Sequence, residues 1–409
     1  MTRPSMHPSW RWLAACSVLA ACGAEGSVAR GGNDADAGLA GTSGTAAGDV
    51  GGAGGARAGA SASAVGGTVD NGTGGATGAG ATGGAAGMGG VGGVGGVGGA
   101  MATPGPMELP HHACNDAPPP GAQLAAAPPA YSGGACPTLV DGFNELGGRK
   151  VLFAIPTNLQ PEEKLPVIFL WHWLGGNAMS FHDKAEVRAA VDQQRFIAAI
   201  PEQSGMFLFR WPATNLDPPG TENVDLKVFD DVLACVSQQF NFNKECVASA
   251  GVSAGGIWTP QVAIHRSDHL SSIITLSGGT GAGFVKPWVP IPHKLPAIVL
   301  WGGPTDNCAG LASFEAASKD LENALTAGGH FFIECVHSCG HSQPPFTPPP
   351  GKSKYAGLWD FVFDHPYWLG PSESPYKATG VPAALPAWCG IGTGSAGPFT
   401  EMCTSGSQC

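Results

Sequence analysis

The chain is 409 residues long, but 64 of them are glycine and many of these crowd into one low-complexity tract, so the folded part must be shorter than the whole. Acidic residues outnumber basic ones, 31 to 20, for a formal net charge of −11. No Lys/Arg cluster supplies the electrostatic footprint that a nucleic-acid partner requires, and acidity by itself identifies no other partner.

Residues 1–22 read as an export signal. Arg3 and Arg11 are basic, residues 12–21 are apolar, and small residues follow; the apolar segment is too short to span a membrane. Leu19-Ala20-Ala21-Cys22 resembles the lipobox of bacterial lipoproteins, which would make Cys22 the lipidated first residue of the mature chain. The competing reading is an ordinary secretory signal with an incidental Cys22. Leu13-Ala14-Ala15-Cys16 has the same form with too little apolar sequence ahead of it.

Residues 23–106 are mostly Gly, Ala, Thr, Ser and Val and cannot build a core. Their composition predicts a disordered tether, because ordering it would cost more entropy than its burial returns. The Gly-Gly-Val triplets at 89–97 lack the proline that a collagen helix needs. Residues 107–370 have the length of one large domain. Residues 371–409, rich in Pro and Gly with three cysteines, read as a covering segment pinned to that domain by disulfides.

With Cys16 and Cys22 set aside, an even set of cysteines remains: Cys114, Cys136, Cys235, Cys246, Cys308, Cys335, Cys339, Cys389, Cys403 and Cys409. That fits disulfides in an oxidising compartment. No paired C-x-x-C spacing supports zinc, and neither a metal nor a cofactor is implied. The expected pairs are Cys235 with Cys246, neighbours along the chain, and Cys308 with Cys339, with Cys335 as the rival partner.

Within the domain, strands are expected at 149–155, 166–171, 195–200, 246–250, 272–276, 297–301 and 330–335. Between them Val228, Phe229, Val232, Leu233, Val236 and Phe240 recur at helical spacing, as do Phe314, Ala317, Leu321 and Leu325. This alternation predicts an α/β fold, a mostly parallel central sheet with helices on both faces, and ligands bind such sheets at the carboxyl ends of the strands.

Gly251-Val252-Ser253-Ala254-Gly255 follows the expected strand 246–250 directly and precedes a helix-capable stretch. In this context a G-x-S-x-G pattern is a nucleophile elbow: the strand turns sharply into a helix, glycines remove Cβ clashes, and the serine hydroxyl projects above the sheet. A serine needs a base and a carboxylate that orients it. Asp306 follows strand 297–301, and His337 and His341 follow the last strand, so Ser, Asp and His occur in the chain order of α/β-hydrolases. His341 is preferred as base, with His337 the competitor. Asp306 is preferred to Asp217, Asp230 and Asp231, which all precede the serine. The expected oxyanion donors are the backbone N–H groups of Ala254 and Trp173. His172, Trp211 and Trp258 are candidates for the substrate pocket, with core packing the alternative for each tryptophan.

Together the His172 loop, Phe229-Asp230-Asp231, Gly251-Val252-Ser253-Ala254-Gly255-Gly256, Trp301-Gly302-Gly303-Pro304-Thr305-Asp306 and Gly340-His341 resemble the α/β-hydrolase branch of polyhydroxybutyrate depolymerases, feruloyl esterases and acetylxylan esterases. The likeness covers about residues 148–345. It implies an α/β-hydrolase fold and ester hydrolysis through an acyl-serine intermediate with no cofactor. Two positions depart from the pattern: Trp173 stands where glycine usually follows the oxyanion-loop histidine, and Trp301 where histidine is common. The resulting expectation is an exported, monomeric serine esterase that touches the membrane only through a lipid anchor, on the outer membrane or cell surface. The alternatives are a serine peptidase of the same superfamily and a binding protein on an inactive hydrolase scaffold.

Overall fold

A computed structural model describes residues 112–203, 211–308, 310 and 312–403. The expected signal at 1–22, Cys22, the tether at 23–106 and Cys409 lie outside the described residues.

Eleven strands are described: β1 (Gly142–Leu146), β2 (Arg149–Ala154), β3 (Leu165–Trp171), β4 (Ile197–Pro201), β5 (Phe242–Val252), β6 (Ser272–Leu276), β7 (Ala297–Trp301), β8 (Asn307–Cys308), β9 (Ala312–Ser313), β10 (Phe332–Val336) and β11 (Cys389–Ile391). Nine form one sheet in the order β1-β2-β4-β3-β5-β6-β7-β10-β11, and β8 pairs with β9 in a separate ribbon. Strands β4, β3, β5, β6, β7 and β10 are mutually parallel. Antiparallel β1 and β2 extend one edge and antiparallel β11 the other. The parallel strands are nearly all buried residues, as expected of a sheet covered on both sides.

Alternation along each strand divides the core in two. Val167, Phe169, Trp171, Val247, Ile273 and Val299 face one side, where α3 (Asn223–Gln239), α4 (Ala254–Arg266) and α5 (Phe314–Gly328) pack. Ile168, Leu170, Ala248, Ile274 and Ile298 face the other, against α1 (Ala178–Lys184), α2 (Val187–Gln194) and α6 (Ala356–Phe363). A short α7 (Tyr376–Thr379) precedes β11. Among the described residues no helix is long and apolar enough to cross a membrane.

Both expected cysteine pairings are overturned. Cys235 lies in the core on the α3 side of the sheet, whereas Cys246, on β5, points to the opposite face. The sheet stands between them, so proximity along the chain brings no contact. Cys235 pairs instead with Cys136, and Cys246 with Cys114. Cys308 is disulfide-bonded, but not to Cys339, which pairs with Cys403; Cys335 pairs with Cys389. Cys308 sits in the core on the α5 side, while Cys339 turns toward the C-terminal segment.

Candidate active site

At the end of β5, Ser253 has φ 54° and ψ −114°, a conformation that L residues rarely adopt. Its N–H donates to the Leu276 carbonyl at 2.9 Å, and its own carbonyl accepts from Ile257 N–H at 2.9 Å, which opens α4. The flanking glycines are a steric necessity. A Cβ on Gly251 would lie 2.2 Å from the Gly255 carbonyl oxygen, and one on Gly255 2.0 Å from the Trp171 carbonyl oxygen. Helix α4 therefore runs tightly over β3 and β5, and the strained serine is held at the turn by everything around it.

Two loops bring the other groups to this turn. After β7, Asp306 accepts the Gly302 N–H on Oδ2 at 2.7 Å, and its carbonyl accepts the Phe314 and Glu315 N–H groups at 2.9 and 3.2 Å where α5 begins. After β10, His337 N–H donates to the Trp301 carbonyl at 3.1 Å and Gly340 N–H to the Gly302 carbonyl at 2.8 Å. The aspartate and histidine loops are thus zipped together by their backbones.

The outcome is a continuous polar chain. His341 Nδ1 lies 2.7 Å from Asp306 Oδ1, and His341 Nε2 lies 2.8 Å from Ser253 Oγ. Both contacts are satisfied when Nδ1–H donates to the carboxylate and the serine hydroxyl donates to Nε2, the tautomer in which Nε2 can take a proton. Asp306 is fully buried, while Ser253 and His341 retain 8% and 9% exposure. The Phe314 ring stacks on the imidazole with centroids 4.1 Å apart and planes 20° apart. At helical spacing Phe314 reads as a packing residue, because an apolar residue opening a helix carries no sign that its ring meets a histidine.

His337 is excluded from this chain. It is fully buried beside Trp388 and Phe399, and burial pulls its pKa down to about 4, with Asp306 opposing and His341 reinforcing the shift. Of the aspartates set aside, Asp230 pairs with Arg266 at 2.7 Å, Asp231 accepts Ser132 N–H at 2.8 Å, and Asp217 accepts Thr214 N–H at 2.7 Å.

Ala254 is the first residue of α4, where N–H groups lack an intrahelical acceptor and the helix dipole is positive. Trp171 is the register partner of Gly251, so Trp173 and Ser253 stand two residues beyond paired positions on adjacent strands. The buried His172 ring contacts the Trp173 carbonyl through Nδ1 at 2.9 Å, and the Trp211 indole N–H donates to the His172 carbonyl at 2.9 Å. The half-buried Trp173 indole packs on Phe181, with Lys184 Nζ 4.8 Å from its centroid. Trp211 and Trp258 are both fully buried and meet Trp171 edge-on, at 5.1 and 6.1 Å. Their surroundings are the core on the α3 side of the sheet.

No family model matches the chain. Feruloyl esterase C of Emericella nidulans is 25% identical over 212 residues, which cover 50% of this chain and 76% of that protein. A probable feruloyl esterase C of Aspergillus terreus is 26% identical over 167 residues, 40% of this chain and 59% of that one. Among solved structures, native sOPH superposes with a TM-score of 0.51 at 15% identity, covering 64% of this chain and 99% of that chain. The fold is that of an α/β-hydrolase. Within that class, the relatives that the sequence resembles are esterases.

Proposed function

We propose that this protein is an exported serine esterase that hydrolyses carboxylic esters through an acyl-serine intermediate. The observation that carries the reading is the unbroken hydrogen-bonded chain Ser253–His341–Asp306 at the carboxyl ends of the strands. His341 removes the hydroxyl proton as Ser253 Oγ attacks the ester carbonyl, and Asp306 stabilises the imidazolium that results. The Ala254 and Trp173 N–H groups stabilise the oxyanion. Collapse of the tetrahedral intermediate expels the alcohol, which takes the proton from His341. Water, activated by the same histidine, then releases the acid and restores Ser253.

The similarity to feruloyl esterases directs the substrate toward feruloyl or acetyl esters of polysaccharides, and the resemblance in the motifs adds polyhydroxyalkanoate esters. The disulfides are consistent with export. In this reading Cys22 carries a lipid anchor, the tract at 23–106 carries the domain outward from the membrane, and the domain acts as a monomer.

The test is hydrolysis of methyl ferulate, acetylated xylan, amorphous polyhydroxybutyrate and short-chain p-nitrophenyl esters by the protein and by Ser253→Ala. Turnover that disappears in the variant supports the reading and ranks the substrates. Turnover of none, or turnover that survives in the variant, contradicts it.

A further inference from the structure

The C-terminal segment meets the histidine loop at several points. β11 pairs antiparallel with β10, Cys389 opposite Cys335, and those residues are also joined by a disulfide. Val336 N–H donates to the Trp388 carbonyl at 3.1 Å, and Ala396 N–H donates to Glu334 Oε2 at 3.0 Å. Further along, Trp388 and Phe399 close over His337 with centroids 5.8 and 6.5 Å from its ring. The segment then returns to the loop at Cys403, which is bonded to Cys339. Two disulfides thus close a covalent ring from 335–339 and 389–403, and the chain leaves that ring through Gly340 into His341.

Gly340 has φ 67°, so it provides the turn but no stiffness of its own. On its far side Gln343 Nε2 donates to Tyr355 Oη at 2.8 Å and to the Lys184 carbonyl at 3.2 Å, and buried Phe346 packs on Tyr355 and on Trp388 of the C-terminal segment. The histidine must stay within hydrogen-bond reach of two partners on two other loops, and a displacement of about 1 Å can cost about a hundredfold in rate.

We infer that Cys339 and Cys403 are positioning residues for the reaction: their cross-link, with the strap 389–403, holds His341 between Ser253 and Asp306. This rests on the reading of those three residues as the catalytic triad. The cross-link is also accessible to reagents, because Cys403 is exposed, whereas Cys335 is fully buried. A thiol reductant should open Cys339–Cys403 before Cys335–Cys389, by thiolate attack on the disulfide and release of both cysteines as thiols. The reductant is oxidised to its own disulfide in the exchange.

The test compares the protein with Cys339→Ser/Cys403→Ser, in steady-state ester hydrolysis and by titration with a fluorophosphonate. The inference predicts stoichiometric labelling of the variant, a kcat lowered about tenfold or more, and a KM within about twofold of the parent. A purely structural cross-link would lower the melting temperature without that separation of kcat from KM, and an unchanged kcat overturns the inference. Where the double variant does not fold, native-state reduction decides. Alkylation mapping should show Cys339 and Cys403 modified first, with loss of kcat in step and recovery on reoxidation. Full activity with both cysteines alkylated is the contrary result. If the parent shows no turnover that depends on Ser253, it is the reading of the triad that fails, before the cross-link is tested.

Discussion

Gly302 and Gly340 meet back to back: the Gly340 N–H donates to the Gly302 carbonyl at 2.8 Å, and a Cβ added to Gly302 would fall 1.9 Å from the Gly340 carbonyl oxygen. The first glycine leads to Asp306 and the second to His341. Their contact sets the separation of the two loops, and with it the hydrogen bond between carboxylate and imidazole.

Gly302→Ala should therefore damage catalysis more than stability. The methyl group forces the loops apart, and kcat should fall by about a hundredfold or more through misplacement of His341. Circular dichroism and ester kinetics on the same preparation check this, and a folded variant with parental kcat would count against it.

Trp211 invites a different substitution. Its indole N–H donates to the carbonyl of His172, which shares a peptide group with the Trp173 N–H assigned to the oxyanion. Fixing one end of a planar peptide fixes the other. Trp211→Phe keeps an aromatic ring in the core but releases that carbonyl, so kcat should drop about tenfold with KM little changed. Kinetics across a series of esters would show the same factor for each if the effect lies in the oxyanion donor.

Three histidines limit the protein in acid. Burial depresses His293, His337 and His365 to about 4, against an ordinary value of 6.5. The unfolded chain takes up protons first, so the stability is fully present above about pH 6.5 and is lost as pH falls toward 4, by up to about 3 kcal/mol for each histidine. Urea denaturation at a series of pH values should give that slope. His337→Leu should flatten it, since the His337 ring nitrogens have no hydrogen-bond partner among the described residues.

The alkaline side depends on Glu322. Burial and the neighbouring Glu334 raise its pKa from 4.5 to about 8, against the hydrogen bond that it accepts from the Trp301 indole. Here the folded state keeps the proton longer than the unfolded one, so its contribution is present below pH 4.5 and is lost as pH rises toward 8. Glu322→Gln retains an acceptor for Trp301 without the charge. It should be more stable than the parent at pH 8 to 9 and nearly equal to it at pH 5, by thermal melts in matched buffers.

The central strands and the elbow were legible because each carries a local physical constraint. Strands β6 and β7 fall where the apolar runs place them, and Gly251 and Gly255 mark an approach that tolerates no side chain. Strand β5 begins earlier than expected, at Phe242, because its polar start is satisfied from a distance: Asn243 donates to the Cys114 carbonyl at 2.6 Å and Glu245 accepts the Ala125 N–H at 3.1 Å. The edge strands β1 and β11 went unread; β11 is three residues long and owes its place to β10 and a disulfide. Cysteine pairing depends on which face of the sheet each sulfur occupies, and separation along the chain does not reveal that. Tryptophan suits both a core and a pocket, so only burial shows that Trp211 and Trp258 pack inside.

If His341 activates Ser253 as a nucleophile, mass-spectrometric mapping of the protein after reaction with a fluorophosphonate, with His341→Ala and Ser253→Ala alongside, should reveal it. One adduct per chain on Ser253 is expected in the parent, with labelling slowed by at least about a hundredfold in His341→Ala and absent in Ser253→Ala. Labelling elsewhere, or equally fast labelling without His341, would rule out that activation.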